Sequence, residues 1–232
     1  MSIARHMGLN VAQTDFSVFG ETPAVVVTRF DRRIMPDGSV QALHQVDFTQ
    51  ALGVRTERKY EEYGGPLAEQ YALMLREHDV YGEGERNVRG FADGIMASYL
   101  LGATDSHAKN YSLLLNGSHV TLAPLYDFAS VFPYLASGLR GVSSTLAMTI
   151  GGQRKLLQLR SKHLHRFADR MKLDRSAVVN RFAALAAALP DAFDEAVEDN
   201  RDKLGLLAAP HFVDDFRTRL ELTLADAATW LR

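Results

Sequence analysis

The fold is decided by residues 86–128, which read RNVRGFADGIMASYLLGATDSHAKNYSLLLNGSHVTLAPLYDF. Phe91, Ile95 and Tyr99 recur at i, i+4 and i+8, the spacing that places apolar side chains on one face of an α-helix. The last two turns of this helix carry no charged residue, which indicates that the helix is buried. Gly102 follows as its expected end, so the sequence predicts a central helix that leads into a polar loop.

A tight β-hairpin is predicted directly after this loop. Residues 111–115 and 119–122 read as two strands, and Asn116-Gly117 between them is the strongest short signal for a two-residue hairpin turn. A hairpin returns its two ends to the same place. Polar side chains just before and just after it are therefore expected to be neighbours.

Asp105, Asn110 and Asp127 are the polar side chains so placed. Phosphoryl transfer from ATP needs such a set: a carboxylate that accepts the proton of the attacking hydroxyl, and an Asn with a second carboxylate that hold Mg²⁺. The Asp-x-x-x-x-Asn spacing equals that of the kinase catalytic loop, and Asp127-Phe128-Ala129 stands where kinases carry the metal-binding Asp-Phe-Gly. Asp and Asn are also common in turns for local reasons, but the combination of helix, loop and hairpin favours a functional site.

The remaining sequence predicts an α+β fold that is mostly helical. A β-hairpin is expected with strands over 15–19 and 24–30. A helix is expected after Pro66, and an irregular segment rich in Gly and Pro over 132–152. Further helices are expected over 161–171, 176–189, 192–204 and 210–231.

Composition excludes several classes of protein. The 232 residues include 26 Lys and Arg against 28 Asp and Glu, so no strong positive field favours direct binding to nucleic acid. The absence of Cys excludes disulfides, thiolate metal sites and cysteine nucleophiles. No run approaches the roughly 18 apolar residues of a membrane span. We expect a cytoplasmic protein with no membrane partner.

The chain resembles the HipA-like serine/threonine kinases, the toxin components of type II toxin-antitoxin pairs. The resemblance is carried by long motifs over nearly the whole chain, namely Gly102-Ala103-Thr104-Asp105-Ser106-His107-Ala108-Lys109-Asn110-Tyr111-Ser112, Leu122-Ala123-Pro124-Leu125-Tyr126-Asp127-Phe128, Val27-Thr28-Arg29-Phe30-Asp31-Arg32-Arg33, His44-Gln45-Val46-Asp47-Phe48-Thr49-Gln50 and Lys59-Tyr60-Glu61 with Gly64-Gly65-Pro66. It implies a protein-kinase-like C-terminal lobe, with residues 1–33 as a small β-hairpin remnant of the N-lobe and hinge and residues 34–232 as the helical catalytic lobe.

The resemblance also implies roles for single residues and the use of ATP and Mg²⁺. By it, Asp105 is the catalytic base, Asn110 and Asp127 are the Mg²⁺ ligands, and the hinge that binds adenine consists of Thr28, Arg29 and Phe30.

Three further residues have two interpretations each. His107 and Lys109 would be catalytic-loop residues near the phosphates, but His107 could instead pin the loop to the backbone, and Lys109 could be an ordinary solvated lysine. Asp47 could orient the catalytic loop, although a helix N-cap is the simpler role and the one we favour.

Two parts of a kinase are missing from the sequence pattern. Lys59 is the first lysine, so the strand before the hinge offers no lysine for the ATP phosphates. The two Gly-rich stretches do not replace the phosphate loop, because 82–85 carries two glutamates and connects helices, and 151–155 follows the metal-binding Asp and is more suited to contact substrate. In the resembled family, the lysine and the phosphate loop precede the residue that corresponds to Met1 of this chain. The resemblance therefore implies an N-terminally truncated kinase.

Three functions follow as hypotheses. The first is a kinase core that phosphorylates Ser or Thr of a protein substrate, impaired alone. The second is an inactive remnant, or half of a split kinase, that binds an antitoxin or a separately encoded N-terminal subdomain through exposed apolar surface left by the missing lobe. The abrupt helical start over 3–7 and the absent lysine favour it. The third is a metal-dependent hydrolase that uses the same aspartates.

Overall fold

A computed structural model describes residues 1–136, 138, 140–207 and 211–231, and within them the chain has the expected α+β fold. The helices are α1 (Ser2–His6), α2 (Phe48–Ala51), α3 (Ala68–Glu77), α4 (Gly84–Leu101), α5 (Phe132–Ala136), α6 (Ser161–Met171), α7 (Arg175–Asp199), α8 (Arg201–Leu207) and α9 (Phe212–Ala228). The strands are β1 (Thr14–Phe19), β2 (Thr22–Val27), β3 (Arg32–Ile34), β4 (Val40–Ala42), β5 (His44–Asp47), β6 (Ser112–Asn116), β7 (His119–Leu122), β8 (Thr145–Ile150) and β9 (Gln153–Lys155). Single 3₁₀ turns lie at Thr56–Arg58, Glu61–Tyr63 and Ala108–Asn110.

Helix α4 is the central helix that the apolar pattern predicts. Phe91, Ile95 and Tyr99 on its predicted face are all buried, and the helix ends at Gly102 as expected. Gly102 has a φ of +65°, and a Cβ atom there would lie 2.3 Å from the Phe132 ring. Glycine is therefore required at this position both for the left-handed turn and for the close approach of α5.

A three-stranded antiparallel sheet in the order β5-β6-β7 follows the polar loop. The predicted hairpin of β6 and β7 is confirmed, but its turn is one residue later than expected, because Asn116 pairs with His119 and the loop is Gly117-Ser118. Strand β5 was not predicted. It pairs with the other edge of β6, with Asp47 opposite Ser112, and so brings residue 47 to the end of the polar loop.

The N-terminal part forms two separate hairpins, β1–β2 and β3–β4. The first was predicted, but 28–30 follow β2 instead of lying within it. Helix α1 packs against α7, with Ala4 and the following Met7 buried.

The second half corrects two further predictions. The segment 132–152 is not irregular throughout, since it contains α5 and β8, and Leu146 and Met148 of β8 enter the core. Pro190 does not divide two helices, because α7 runs through it. The backbone hydrogen bond lost at Pro190 is offset by burial of the neighbouring Leu189 and Phe193.

The helices beyond these corrections lie close to their predicted positions. Helix α6 has the predicted bounds, and α9 begins at Phe212, whereas the predicted start at Pro210 lies outside the described residues. Among the helices the structure describes, none combines the length and the apolar character that a bilayer crossing requires.

Gly102→Ala should lower the free energy of unfolding by about 2 kcal/mol or more, because it adds left-handed strain and a clash with Phe132. Gly117→Ala is the matched control, since Gly117 has a φ of +61° with no atom near its Cβ position, and it should cost only about 1 kcal/mol. Urea unfolding of the two variants measures the difference. Equal losses would show that the contact with Phe132 is unimportant.

Candidate functional site

The polar loop between α4 and β6 exposes a single acidic side chain. Asp105 is exposed, whereas Thr104, Ser106 and His107 beside it are buried. The loop is held from outside, because the Thr104 carbonyl accepts a hydrogen bond from the Ala147 amide in β8 at 2.8 Å. The local structure therefore presents one carboxylate to solvent on a fixed backbone.

Asn110 joins the two predicted aspartates. Its Nδ2 donates to Oδ2 of Asp127 at 2.8 Å and to the backbone carbonyl of Asp105 at 3.4 Å, and its side chain is buried. Asp127 has a φ of +62°, a left-handed conformation that Asp tolerates better than most residues. The structure thus brings together Asp105, Asn110 and Asp127, the three residues predicted from the sequence. Asp105 and Asp127 are 22 positions apart in the chain.

Asn110 and Asp127 suit Mg²⁺ but form only part of its coordination shell. Both offer hard oxygen atoms, the exposed Asp127 carboxylate and the Asn110 amide oxygen, which makes no hydrogen bond within the described residues. No cluster of three or more His, Asp or Glu suited to a metal occurs in the described part of the chain. An amide and one carboxylate match a Mg²⁺ ion that keeps water and takes phosphate oxygens as its other ligands.

Lys109 and Asp47 connect the loop to β5 and α2. Asp47 caps α2, with Oδ1 accepting from the Gln50 amide at 2.9 Å, as the favoured interpretation predicts. Its Oδ2 also accepts from Nζ of Lys109 at 2.7 Å. Burial raises the pKa of Asp47, but the hydrogen bonds from Lys109, Thr49 and Gln50 outweigh it and hold the pKa below its ordinary value. Lys109 is thus ion-paired, and Asp47 both caps a helix and fixes the loop.

His107 packs against an aromatic ring. Its Nδ1 is buried without a hydrogen-bond partner among the described residues, and its ring lies edge-on to Tyr60 with centroids 5.0 Å apart. Burial lowers the pKa of His107, and the positive charge of Lys59 lowers it further. The imidazole is therefore neutral near pH 7.

The predicted hinge lies beside Asp127. Phe30 is half-buried with its ring 5.7 Å from that of Tyr126, the residue before Asp127. The Tyr126 hydroxyl in turn donates to the Lys109 carbonyl at 2.7 Å. Thr28 is exposed, and Arg29 binds Asp31 through two hydrogen bonds. The backbone amides of Arg29 and Phe30 make no hydrogen bond in the ranges described, so this edge is free to bind a ligand.

The glycine-rich stretch 151–155 forms the turn that follows β8, at Gly151 and Gly152, and strand β9 itself. Arg154 pairs with Glu62 at 3.1 Å, and the Gly151 carbonyl accepts from Arg166. These contacts hold the turn against the segment around Glu62.

Sequence reasoning missed one residue that touches the site. The Tyr60 hydroxyl donates to Oδ1 of Asp105 at 2.8 Å. The two residues are 45 positions apart, and no local pattern joins them. The signal available was the motif Lys59-Tyr60-Glu61, to which no role was given.

Comparisons with known proteins point to one family. The family described as the HipA-like C-terminal domain matches residues 1–193. The chain is 31% identical over 223 residues to Y4mE of Sinorhizobium fredii, covering 96% of this chain and 51% of that protein. It is 29% identical to the serine/threonine-protein kinase toxin HipA of Shewanella oneidensis, covering 85% of this chain and 46% of that one.

A solved structure shares the fold. The Shewanella oneidensis HipA structure, a complex of HipA, HipB and operator DNA, matches with a TM-score of 0.82 and 25% identity, covering all of this chain and 54% of that one. The chain therefore spans about half the length of the curated relatives and of the solved protein that it matches.

Asp47→Asn should lower the free energy of unfolding by about 1 kcal/mol at pH 7, because Asn keeps the helix cap but removes the charge that pairs with Lys109. The folded-state pKa of Asp47 lies below its unfolded value, so the carboxylate stabilises the fold above the unfolded pKa. The difference between variant and wild type should shrink as pH falls through the folded pKa. Urea unfolding from pH 7 to 3 measures it.

Asp174→Asn is the matched control, because Asp174 caps α7 through the Ala177 amide and has no ion-pair partner within the described ranges. It should change stability little at any pH. An equal loss in both variants would mean that capping, and not the contact with Lys109, accounts for the effect.

Proposed function

Because the chain belongs to the HipA-like C-terminal domain family, we propose that it is a kinase core that transfers the γ-phosphate of ATP to a Ser or Thr hydroxyl of a protein. The observation that carries this proposal is the Asn110 side chain, which joins the Asp105 backbone and the Asp127 carboxylate in one cluster. A base and two metal-binding groups within one hydrogen-bonded unit are what phosphoryl transfer requires of a protein.

Asp105 is the proposed catalytic base. Its exposed carboxylate accepts the proton as the acceptor oxygen forms a bond to the γ-phosphorus and the bond from that phosphorus to the ADP oxygen breaks. The buried neighbours of Asp105 keep the backbone in place during this step. Positioning and electrostatic stabilisation, rather than covalent chemistry, are the contribution of the protein.

Asn110 and Asp127 are the proposed Mg²⁺ ligands. A Mg²⁺ ion held there would neutralise charge on the nucleotide phosphates. Asn110 lies at the end of the 3₁₀ turn Ala108–Asn110. Its amide donates to Oδ2 of Asp127, which leaves Oδ1 of Asp127 free for a metal ion. His107 is neutral and Lys109 is paired with Asp47, so we assign both to the shape of the loop, and Lys109 reaches phosphate only if it leaves Asp47.

The free backbone edge at Arg29 and Phe30 supports an adenine site. Phe30 offers an aromatic face, and the ring of Tyr126 supports it from beneath. The chain supplies no lysine before Lys59 for the ATP phosphates. We therefore assign this chain a weak affinity for nucleotide when it acts alone.

Asp127→Asn should weaken Mg²⁺-dependent binding of ATP about tenfold or more, because it replaces a charged metal ligand with a neutral amide. Asp105→Asn is the control, since the base is not a metal ligand, and it should change binding by less than about twofold. Isothermal titration calorimetry of the purified chain measures both. Absence of binding at about 1 mM nucleotide would overturn autonomous kinase activity.

Partner binding is a second candidate function, favoured by an exposed apolar face on the β1–β2 hairpin. Directly opposed residues of an antiparallel pair share a face, so Val25, opposite Phe16, lies with Val18 and Val27. Val25 is 73% exposed, and Val18 and Val27 are exposed as well. A two-stranded hairpin is marginally stable alone in water, which favours a partner that covers this face.

The partner that fits is the part of a HipA-like protein that this chain does not match, supplied as a separate subdomain. The matched relatives are about twice as long as this chain, and the hairpin directly precedes the proposed hinge. An antitoxin is the other candidate partner, since the Shewanella HipA structure contains HipB.

Val25→Ser with Val27→Ser should weaken binding to the unmatched portion of Shewanella HipA about tenfold or more, because two exposed apolar side chains on one face are lost. Val26→Ser lies on the opposite face of the same strand and should change affinity by less than about twofold. Sedimentation velocity with the purified probe measures complex formation. No complex would contradict this assignment, and self-association lost in the double variant would assign the face to a second copy of the chain.

A further inference from the structure

We propose that Tyr60 is a positioning residue for the catalytic base: its hydroxyl holds Oδ1 of Asp105 and so leaves Oδ2 directed to the acceptor hydroxyl. This inference rests on the proposed kinase function. Tyr60 donates to Oδ1 at 2.8 Å, whereas Oδ2 accepts no hydrogen bond from any residue the structure describes. The two oxygens of one carboxylate are thus assigned different tasks.

The Tyr60 hydroxyl can orient Asp105 only if Tyr60 is itself held in place. The backbone around Tyr60 is bonded to the catalytic loop. The Ala108 amide donates to the Lys59 carbonyl at 3.2 Å, which joins the residue before Tyr60 to the loop that contains Asp105. Glu61 on its other side accepts from the Thr149 amide in β8 at 3.0 Å. Both neighbours of Tyr60 are therefore anchored to different elements.

A tight turn after Tyr60 adds a third restraint. The Tyr60 carbonyl accepts from the Tyr63 amide at 3.1 Å and from the Gly65 amide at 2.9 Å. A Cβ atom on Gly65 would lie 2.6 Å from the Tyr60 carbonyl oxygen and 2.3 Å from that of Arg58, so only glycine permits this close return. These backbone contacts hold the segment around Tyr60 in one conformation.

The ring of Tyr60 is also fixed on several sides. It meets the His107 ring edge-on at 5.0 Å and the Tyr63 ring at 5.8 Å, and the Lys59 ammonium lies 5.0 Å from its centroid. Burial and the adjacent Asp105 carboxylate raise the pKa of Tyr60 to about 12. The phenol therefore remains protonated, and a hydrogen-bond donor, near neutral pH.

An exposed carboxylate needs such a restraint because it can otherwise rotate freely. Asp105 has no other side-chain contact among the described residues that would select one orientation. Misplacement of a reacting group by about 1 Å can reduce a rate about a hundredfold. A fixed donor on one oxygen supplies the required orientation without occupying the other oxygen.

Tyr60→Phe tests the role, because it keeps the ring contacts and removes only the hydroxyl. In the full chain, we expect kcat for phosphoryl transfer to fall about tenfold or more, while KM for ATP changes by less than about twofold. Tyr63→Phe is the matched control: it lies on the same segment, and its hydroxyl makes no hydrogen bond within the described ranges. It should leave both parameters unchanged.

A second readout does not depend on activity. Tyrosinate absorbance is followed from pH 9 to 13 in the wild type and in Asp105→Asn, each with and without Tyr60→Phe. The phenol assigned to Tyr60 should ionise at lower pH in Asp105→Asn than in the wild type, because the negative charge that opposes its ionisation is removed.

The outcomes separate the two proposals. An unchanged kcat in Tyr60→Phe would overturn the positioning role, and a raised kcat would show instead that the hydroxyl competes with the acceptor for Asp105. Absence of transfer in the wild type would overturn the kinase function, and the titration would still decide the contact by itself. A titration of Tyr60 that is insensitive to Asp105→Asn would overturn the contact and with it the inference.

Discussion

Packing among four buried aromatic rings is the constraint on which the site depends. The Phe48 ring lies 4.7 Å from Tyr71 and 5.1 Å from Phe91, and Phe91 lies 4.8 Å from Tyr111. Phe91 belongs to the helix before the catalytic loop, Tyr111 to the loop's end, and Phe48 to the helix that Asp47 caps. Because the rings bury large apolar areas together, both ends of the loop and its ion-pair partner are fixed by one cluster.

The polar groups of the loop are then constrained to bind one another. Asn110 binds Asp127, Lys109 binds Asp47, and the Tyr126 hydroxyl binds the Lys109 carbonyl. The buried Ser106 hydroxyl and His107 Nδ1 have no such partner among the described residues. Burying polar groups without such partners would be costly. Asp105 differs, since it is exposed and keeps one free oxygen. The loop therefore directs the Asp105 carboxylate to solvent while Lys109 and Asn110 tie the loop to the rest of the protein.

Features that leave a local pattern in the sequence were predicted well. Features that depend on contacts between distant residues were missed. The 3.6-residue apolar period and Gly102 gave the central helix, and the hairpin signal brought Asp105 and Asp127 together through Asn110. Strand β5 and Tyr60 were missed because their partners lie 45 or more residues away, where spacing carries no information. The break predicted at Pro190 was wrong because burial on both sides outweighs one lost hydrogen bond.

The molecule divides its proposed tasks between two regions of different stability. The groups proposed for proton transfer and metal binding are held by contacts with residues 44–150 and, near Asp127, by backbone hydrogen bonds of Leu125 with Asn10 and Ala12. Within the described residues, none of these contacts involves the β1–β2 hairpin. The proposed adenine edge, in contrast, follows that hairpin, and it contacts the site through the rings of Phe30 and Tyr126. An uncovered two-stranded hairpin fluctuates more than a buried loop. Whatever covers the hairpin should therefore control nucleotide affinity, whereas the geometry around Asp105 is already set by the aromatic core.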